Sequence, residues 1–194
     1  MIATFSSATE SDRSAFIALA AALRELQAAV SSSCPGAEVS EEVATRFAAA
    51  SALLTPFGVG TDEQLSGQLW ESPGRGQAMV PPFVVESVDS QHIRGQVTLS
   101  RFYQGAAGSA HGGVVALVMN EILGTLANRP EGPMRIAAYL HIDFRSSTPL
   151  GQPLIGEAHV DREEGRKLYL VGTLAHGEKV VAEAQGLFLA PRPA

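Results

Sequence analysis

The sequence predicts an α+β fold in which a curved antiparallel sheet wraps around one long central helix. After residue 82 the predicted order is strand, strand, helix, and then a meander of at least three strands. Short turns join the later strands, which is typical of antiparallel pairing. The helix, which we place at residues 112–128, is apolar around nearly its whole circumference, so it must be buried on most sides.

Length, charge and cysteine content limit the classes of function. With 194 residues, the chain can form one domain of ordinary size and an extra lobe of about fifty residues. The formal net charge of −6 and the isoelectric point near 5.3 give no general attraction to nucleic acid. The one cysteine, Cys34, excludes an intrachain disulfide and favours the cytoplasm as the location.

The first 55 residues predict a helical hairpin. The first helix, within residues 11–31, has an apolar stripe of Phe16, Leu19, Leu23, Leu26 and Val30. The second is predicted to begin with Ser40 as its N-cap, and its stripe is Val43, Phe47, Ala50 and Leu54. Because Arg24 and Glu25 interrupt the first apolar run, we expect neither a signal peptide nor a membrane span. Two short helices cannot enclose a core alone, so the hairpin should pack on the main domain or on another subunit.

Residues 56–81 predict a connecting arm with little regular structure, because they are rich in Gly and Pro. Residues 82–190 then predict the main domain. Its first hairpin turns at Asp89-Ser90, and the return strand carries on one face Ile93, Gly95, Val97 and Leu99. In the strand after the helix, Ala138, Leu140, Ile142 and Phe144 should face one way, and Tyr139, His141, Asp143 and Arg145 the other.

The start of the central helix, in "GSAHGGVVALVMNEILG", is the best candidate for a site. A helix N-terminus offers unpaired N–H groups and about half a positive charge, so it can hold an anion or a carbonyl oxygen. Gly112 and Gly113 remove the side chains that would keep a ligand from those amides. Tight packing against a strand is an equally good reading of the glycine pair. His111 is either a ligand contact, a helix cap or a structural hydrogen-bonding residue.

Two polar residues, Asn120 and Glu121, lie in the middle of this apolar helix and need partners. Asn120 shares a face with Gly113 within about 20° and lies roughly 10 Å along the axis, whereas Glu121 is about 100° further round. If two such helices lay antiparallel across a dimer axis, Asn120 of one chain could face the glycine turn of the other.

The same residues carry a resemblance to a known family. "AHGGVVALVMNEILG", "YLHIDFRSSTPLGQPL" and "GRKLYLVGTLAHGEKVVAEAQGLFL" resemble the hotdog-fold acyl-CoA thioesterases of the phenylacetate-type branch, within the 4-hydroxybenzoyl-CoA thioesterase superfamily. The resemblance covers about residues 82–190 and leaves residues 1–55 outside it. It implies a helix wrapped by an antiparallel sheet, and homodimers formed through the strand "AAYLHIDF" or homotetramers of them. It also implies hydrolysis of an acyl-CoA thioester at the dimer interface without a metal or an organic cofactor.

Carried over residue by residue, the resemblance assigns roles at the helix start. Gly112 would supply the backbone amide that polarises the thioester carbonyl, with His111 and Gly113 shaping the turn. Gln104, in the preceding loop, would lie near the thioester. Asn120 occupies the position, nine residues after the histidine, where relatives have a catalytic Asp or Glu.

The chain departs from the family at two polar positions. A carboxamide is not basic near neutral pH, so Asn120 can position groups but cannot take a proton from water. The Ser or Thr that relatives place on the following strand is also missing, because that strand begins with Ile136, Ala137 and Ala138. Glu121 would replace the base only if the helix rotated or its register shifted; otherwise it is exposed or ion-paired.

The sequence therefore leaves two main hypotheses and a minor one. The first is a thioesterase that acts slowly with help from Asn120 or Glu121, and the second is an acyl-CoA-binding protein that has lost its base. A hotdog dehydratase would need an Asp and His arrangement that we do not find.

Other polar residues are weaker candidates for ligand binding. His141 and Asp143 could bind a metal but lack a third ligand, so a contact between dimer strands is the better reading. Four basic residues could contact the phosphates of CoA, although charged residues at strand ends usually only face solvent. They are Arg145, Arg162, Arg166 and Lys167. Trp70 and Tyr139 are expected to pack rather than stack on adenine, and Cys34 is far in sequence from the site.

Overall fold

A computed structural model describes residues 8–128 and 132–192. The helices are α1 Glu10–Ser32, α2 Ala37–Leu54 and α3 Gly112–Ala127, and the strands are β1 Val84–Val88, β2 His92–Thr98, β3 Ile136–Phe144, β4 Pro153–Glu164, β5 Lys167–His176 and β6 Lys179–Leu189. The two prolines that follow α3 and cannot continue a helix are Pro130 and Pro133, and Pro130 lies outside the described residues.

All six strands form one antiparallel sheet in the order β1-β2-β4-β5-β6-β3. The predicted α+β fold is confirmed: α3 packs against the inner face of this sheet, and β1 and β3 are its two edges. The first hairpin turns where it was predicted, since Asp89 N–H donates to the carbonyl of His92 at 2.9 Å.

The core lies between α3 and the inward-facing positions of the strands. The predicted face of β2 is confirmed, because Ile93, Val97 and Leu99 are all buried. Gly156 of β4 shows how closely the helix approaches the sheet: a β-carbon there would lie 2.5 Å from Cδ1 of Ile122 on α3. A larger residue at this position would require the side chains of Ile122 and Phe83 to move.

The predicted alternation in β3 is interrupted. Its pairing with β6 shifts register between Ala137 and Tyr139, so a bulge replaces strict alternation at the start of the strand. Beyond the bulge Leu140 and Ile142 pack against the core as predicted. Phe144 lies on the same side as Leu140 and Ile142, as predicted, but it is 57% exposed at the end of the strand; Ile136, ahead of the bulge, is 75% exposed.

The N-terminal helices differ from the prediction in two ways. Helix α2 begins at Ala37 with Gly36 as the N-cap, so the assignment of Ser40 as the cap was wrong. In the predicted apolar stripe of α1, Leu19, Leu23 and Val30 are exposed while Phe16 and Leu26 are half-buried, because the helix packs through a face turned towards Ala20, its buried residue. Helix α2 has no buried residue at all.

Helix α1 bears on the expectation that the chain has no membrane span. Among the described helices it alone is long and apolar enough, by length and composition, to cross a bilayer. Core helices of soluble proteins and signal sequences near the N-terminus meet the same criterion.

Polar contacts join α1 to the connecting arm. Arg13 pairs with Glu71 at 2.7 Å, and the Arg24 guanidinium donates to the carbonyls of Pro73 and Gln77. The arm is more ordered than its composition predicted, because Pro73–Gly76 forms a hydrogen-bonded turn. The N-terminal helix is therefore tied to the segment that precedes the sheet.

Candidate active site

The N-terminus of α3 is capped by a histidine. Nδ1 of His111 accepts a hydrogen bond from the Gly113 N–H at 3.0 Å, and the His111 carbonyl accepts from Val114 at 2.9 Å and from Val115 at 3.2 Å. Because Nδ1 is the acceptor, the neutral ring carries its proton on Nε2. Of the readings left open for His111, the structure shows the helix cap.

Gly112 keeps an unpaired backbone donor at the same helix end. Its N–H has no acceptor among residues 8–128 and 132–192, and the residue is exposed. Beside it lies the ring of Phe144, whose Cζ is 3.5 Å from where a β-carbon of Gly112 would be. An open amide at the positive end of a helix, next to an apolar ring, is suited to polarise a carbonyl oxygen.

Gln104 lies in a short loop that folds back against this helix start. Gln104 forms an isolated antiparallel bridge with Ala110, and Gly105 N–H donates to the Ser109 carbonyl at 2.7 Å. Ala107 at the loop tip adopts a left-handed conformation, with φ of 52°. Gln104 is exposed, and its bridge partner Ala110 directly precedes the cap His111, so the loop places Gln104 at the same end of α3 as Gly112.

Asn120 lies on the least buried side of α3. The helix was expected to be buried almost all round, but Gly113 is exposed, and Leu117 and Asn120 on the same side are only partly buried. The Asn120 carboxamide makes no hydrogen bond within the described part of the chain. The structure thus puts Gly113 and Asn120 on one partly open side, as helical spacing predicts.

Glu121 lies on a different side of α3 from Asn120 and forms an ion pair with Arg75. It is 5% exposed, and its Oε2 accepts a hydrogen bond from Nη2 of Arg75 at 2.5 Å. Burial raises the pKa of the Glu121 carboxyl above its ordinary value, and the guanidinium of Arg75 partly offsets that effect. Of the sequence alternatives for Glu121, the structure shows the ion pair.

Sequence reasoning missed Arg75, because the arm was predicted to lack regular structure. Arg75 has a left-handed backbone, with φ of 53°, between two left-handed glycines, Gly74 and Gly76. Its guanidinium also lies over the ring of Trp70, 5.0 Å from the centroid. The Gly-Arg-Gly triplet in a Pro-containing turn was the signal that could have identified it.

The other candidates do not gather around the helix start. In the described residues no group of three His, Cys, Asp or Glu side chains is arranged to hold a metal. His141 and Asp143 are 3.6 Å apart, and Asp143 is shared with Arg145. Arg162 pairs with Asp161 and Glu164 on its own strand, whereas Arg166 donates to the carbonyl of Ala190. Lys167 starts β5, Tyr139 is 49% exposed, and Cys34 is exposed between α1 and α2.

A groove of about 440 Å³ opens on the outer face of the sheet. Its polar lining includes His92, Arg94, Glu157 and His159, which alternate with the inward-facing Ile93 and Ala158. Because α3 packs on the opposite face, this groove is separate from the site at the helix start.

Comparisons with known proteins match this architecture. The model of the Thioesterase superfamily matches residues 107–184, which contain the cap, α3, strands β3 to β5 and the first part of β6. A stretch of 90 residues is 33% identical to acyl-coenzyme A thioesterase THEM4 of Bos taurus. That stretch is 45% of this chain and 36% of the bovine protein, so the match spans about a third of the relative's length.

Solved structures give the same picture of the fold. The thioesterase superfamily protein RHA08564 is 28% identical, with a TM-score of 0.75 and coverage of 90% of both chains. A phenylacetic acid degradation-related protein from Ralstonia eutropha JMP134 has a TM-score of 0.52 at 20% identity, covering 56% of this chain and 84% of that one. The smu.793 protein of Streptococcus mutans, solved with acetyl CoA bound, has a TM-score of 0.53 at 18% identity. The match covers 56% of this chain and 88% of that one.

Proposed function

Because the chain is a hotdog-fold member of the thioesterase superfamily, we propose that it hydrolyses an acyl-CoA thioester, slowly, at the N-terminus of α3. The observation that carries the proposal is the exposed Gly112 N–H, which has no acceptor in the described chain. The acetyl CoA bound by the Streptococcus mutans protein supports a CoA thioester as the substrate class. The acyl chain is left open.

In the proposed reaction the thioester carbonyl accepts a hydrogen bond from the Gly112 N–H. Water adds to the carbonyl carbon, the C–S bond then breaks, and the products are a carboxylic acid and the CoA thiol. One such backbone donor accounts for roughly 10²- to 10³-fold in rate. His111 and Gly113 shape the turn, Gln104 borders it, and Asn120 orients the water without removing its proton.

The site is proposed to be shared between two subunits. Asn120 lies about 10 Å along the helix from Gly113, too far to act on a carbonyl held at the same helix start. The exposed edge strand β3, whose Ile136, Tyr139 and Phe144 are open to solvent, is proposed to pair with a second copy. That pairing would bring one protomer's Asn120 to its partner's Gly112. The assembly is a homodimer, or a tetramer of two dimers, in the cytoplasm, with no metal or cofactor.

A second candidate function is acyl-CoA binding without turnover. Binding without turnover is favoured because neither polar residue in the middle of α3 is available as a base. Asn120 is a carboxamide, and Glu121 is ion-paired with Arg75. Because an oxyanion hole and good positioning retain about 10³-fold catalysis over water, weak turnover alone does not show that a base is present.

The experiment that separates these functions is acyl-CoA hydrolysis by wild type, Asn120→Asp and Glu121→Gln across a panel of chain lengths. We expect low wild-type turnover, a large gain in Asn120→Asp because it supplies a carboxylate, and a partial loss in Glu121→Gln, whose carboxamide oxygen can still accept a hydrogen bond from Arg75. No wild-type turnover together with a gain in Asn120→Asp supports the binding function. Unchanged activity in Asn120→Asp with complete loss in Glu121→Gln contradicts both and identifies Glu121 as the base. Gln185→Glu makes the same chemical change on an exposed residue of β6 and serves as the control.

A further inference from the structure

We propose that Arg75 of the connecting arm is a positioning residue, which fixes α3 through Glu121 so that the neighbouring Asn120 faces the reacting thioester. This inference rests on the proposed function. It gives a role to α1 and to the arm, which lie outside the residues 107–184 that the thioesterase family model matches.

Arg75 and Glu121 form a short ion pair with little exposure to solvent. Arg75 Nη2 and Glu121 Oε2 are 2.5 Å apart, and the two side chains are 25% and 7% exposed. Charge-assisted contacts with so little solvent access are directional, and removing one partner leaves the other as a buried, unpaired charge. The other contacts of α3 with the rest of the domain are mostly apolar packing.

Arg75 lies in a turn with an uncommon backbone conformation. Three consecutive residues, Gly74, Arg75 and Gly76, have positive φ, which is costly for a non-glycine residue. Backbone hydrogen bonds hold this conformation: the Arg75 N–H donates to Ser72 and the Gly67 N–H donates to the Arg75 carbonyl, both at 2.8 Å. A strained conformation held by several contacts is typical of a residue whose direction matters.

Hydrogen bonds link this turn to α1. The Arg24 guanidinium donates to the carbonyls of Pro73 and Gln77, at the two ends of the turn. The space that a β-carbon on Gly74 would take is 2.8 Å from Arg24 Nη2, so a larger residue at 74 would displace this contact. A continuous set of polar contacts therefore runs from α1 through the turn to Glu121, one residue from Asn120.

The proposal is tested with Arg75→Met and the double variant Arg75→Met/Glu121→Leu, which replaces the pair by apolar side chains. Arg75→Lys keeps the charge. Arg13→Met is the matched control, because it removes an ion pair between α1 and the arm that does not touch α3. Trp70 is the sole tryptophan and lies under Arg75, so its fluorescence reports whether the turn is still in place.

We expect kcat to fall at least about tenfold in Arg75→Met with a smaller change in KM, since misplacing a group by about 1 Å costs up to a hundredfold. Arg75→Lys should recover part of kcat, and the double variant should recover stability but not kcat. Recovery of kcat together with stability in the double variant would show a purely structural pair and overturn the proposal. So would wild-type kcat in Arg75→Met with altered Trp70 fluorescence.

A wild type without turnover would refute the proposed function, and a different readout then decides the present inference. Amide hydrogen exchange over residues 112–121 should be faster in Arg75→Met than in Arg13→Met, because the pair holds this part of α3. Equal exchange in the two variants would overturn the inference independently of any activity.

Discussion

The ring of Phe144 lies beside Gly112, with Cζ 3.5 Å from the position of a β-carbon at residue 112. This distance is ordinary van der Waals contact, so alanine fits there without displacing the ring. The two residues come from the end of β3 and the start of α3, and together they leave an amide exposed next to an apolar wall.

Gly112→Ala should therefore separate binding at the amide from folding. We expect kcat/KM for acyl-CoA to fall about ten- to a hundredfold, because a methyl group obstructs the oxygen's approach. The free energy of unfolding should stay within about 1 kcal/mol of wild type. Gly124→Ala is the control within the same helix, where the new β-carbon would be 3.8 Å from the Phe188 ring. Equal activities in the two variants would contradict a role for the Gly112 amide.

The His111 cap predicts a stability effect. His111→Ala should lower the free energy of unfolding by about 1 kcal/mol, because the Gly113 N–H loses its acceptor. Asparagine is a good N-cap, so His111→Asn should retain most of the stability. Urea unfolding measures both variants. Equal losses in the two would mean that the ring's packing, rather than its acceptor, supports the helix start.

The buried carboxyl of Glu121 predicts a dependence of stability on pH. Its pKa in the folded state is raised by burial, with Arg75 offsetting part of the effect, so the folded protein holds this proton more tightly than the unfolded chain. The stabilisation is fully present below the carboxyl's ordinary pKa and is lost as pH rises through the raised value. Wild type should therefore lose stability relative to Glu121→Gln as pH rises through that window. The opposite slope in urea unfolding would show that Arg75 outweighs burial.

The exposed edge of β3 predicts a change of assembly. Ile136 is 75% exposed on an edge strand, and a lysine there should block pairing with a second copy. We expect Ile136→Lys to be monomeric in sedimentation equilibrium and to lose most activity, because the proposed site needs two subunits. Val88→Lys alters the opposite edge, on β1, and should behave as wild type. A wild-type protein that is itself monomeric would contradict the shared site.

Sequence patterns predicted the sheet and the central helix because each depends on local periodicity. Alternation placed Ile93, Val97 and Leu99 in the core, and helical spacing put Gly113 and Asn120 on one side of α3. These relationships hold within a single helix or strand, so they can be predicted without knowing which element packs against it. The bulge at Ala137 was not readable, because it arises from pairing with β6.

The long-range contacts could not be predicted. The partner of Glu121 comes from Arg75, 46 residues earlier, in a segment whose glycines indicated only a flexible arm. The Gly-Pro composition hid an ordered turn, since glycine serves flexible loops and strained turns equally. For α1, two apolar faces were available, and the pattern could not show that the body takes the face of Ala20 and leaves Leu19 and Leu23 exposed.

The most direct test of the central claim is a crystal structure with a non-hydrolysable acyl-CoA thioester analogue. The account predicts the carbonyl-equivalent oxygen about 3 Å from the Gly112 nitrogen, with the carboxamide of Asn120 from the second protomer facing the same carbon. An analogue bound elsewhere, such as in the outer groove beside His92 and His159, with the Gly112 amide unengaged, would contradict it.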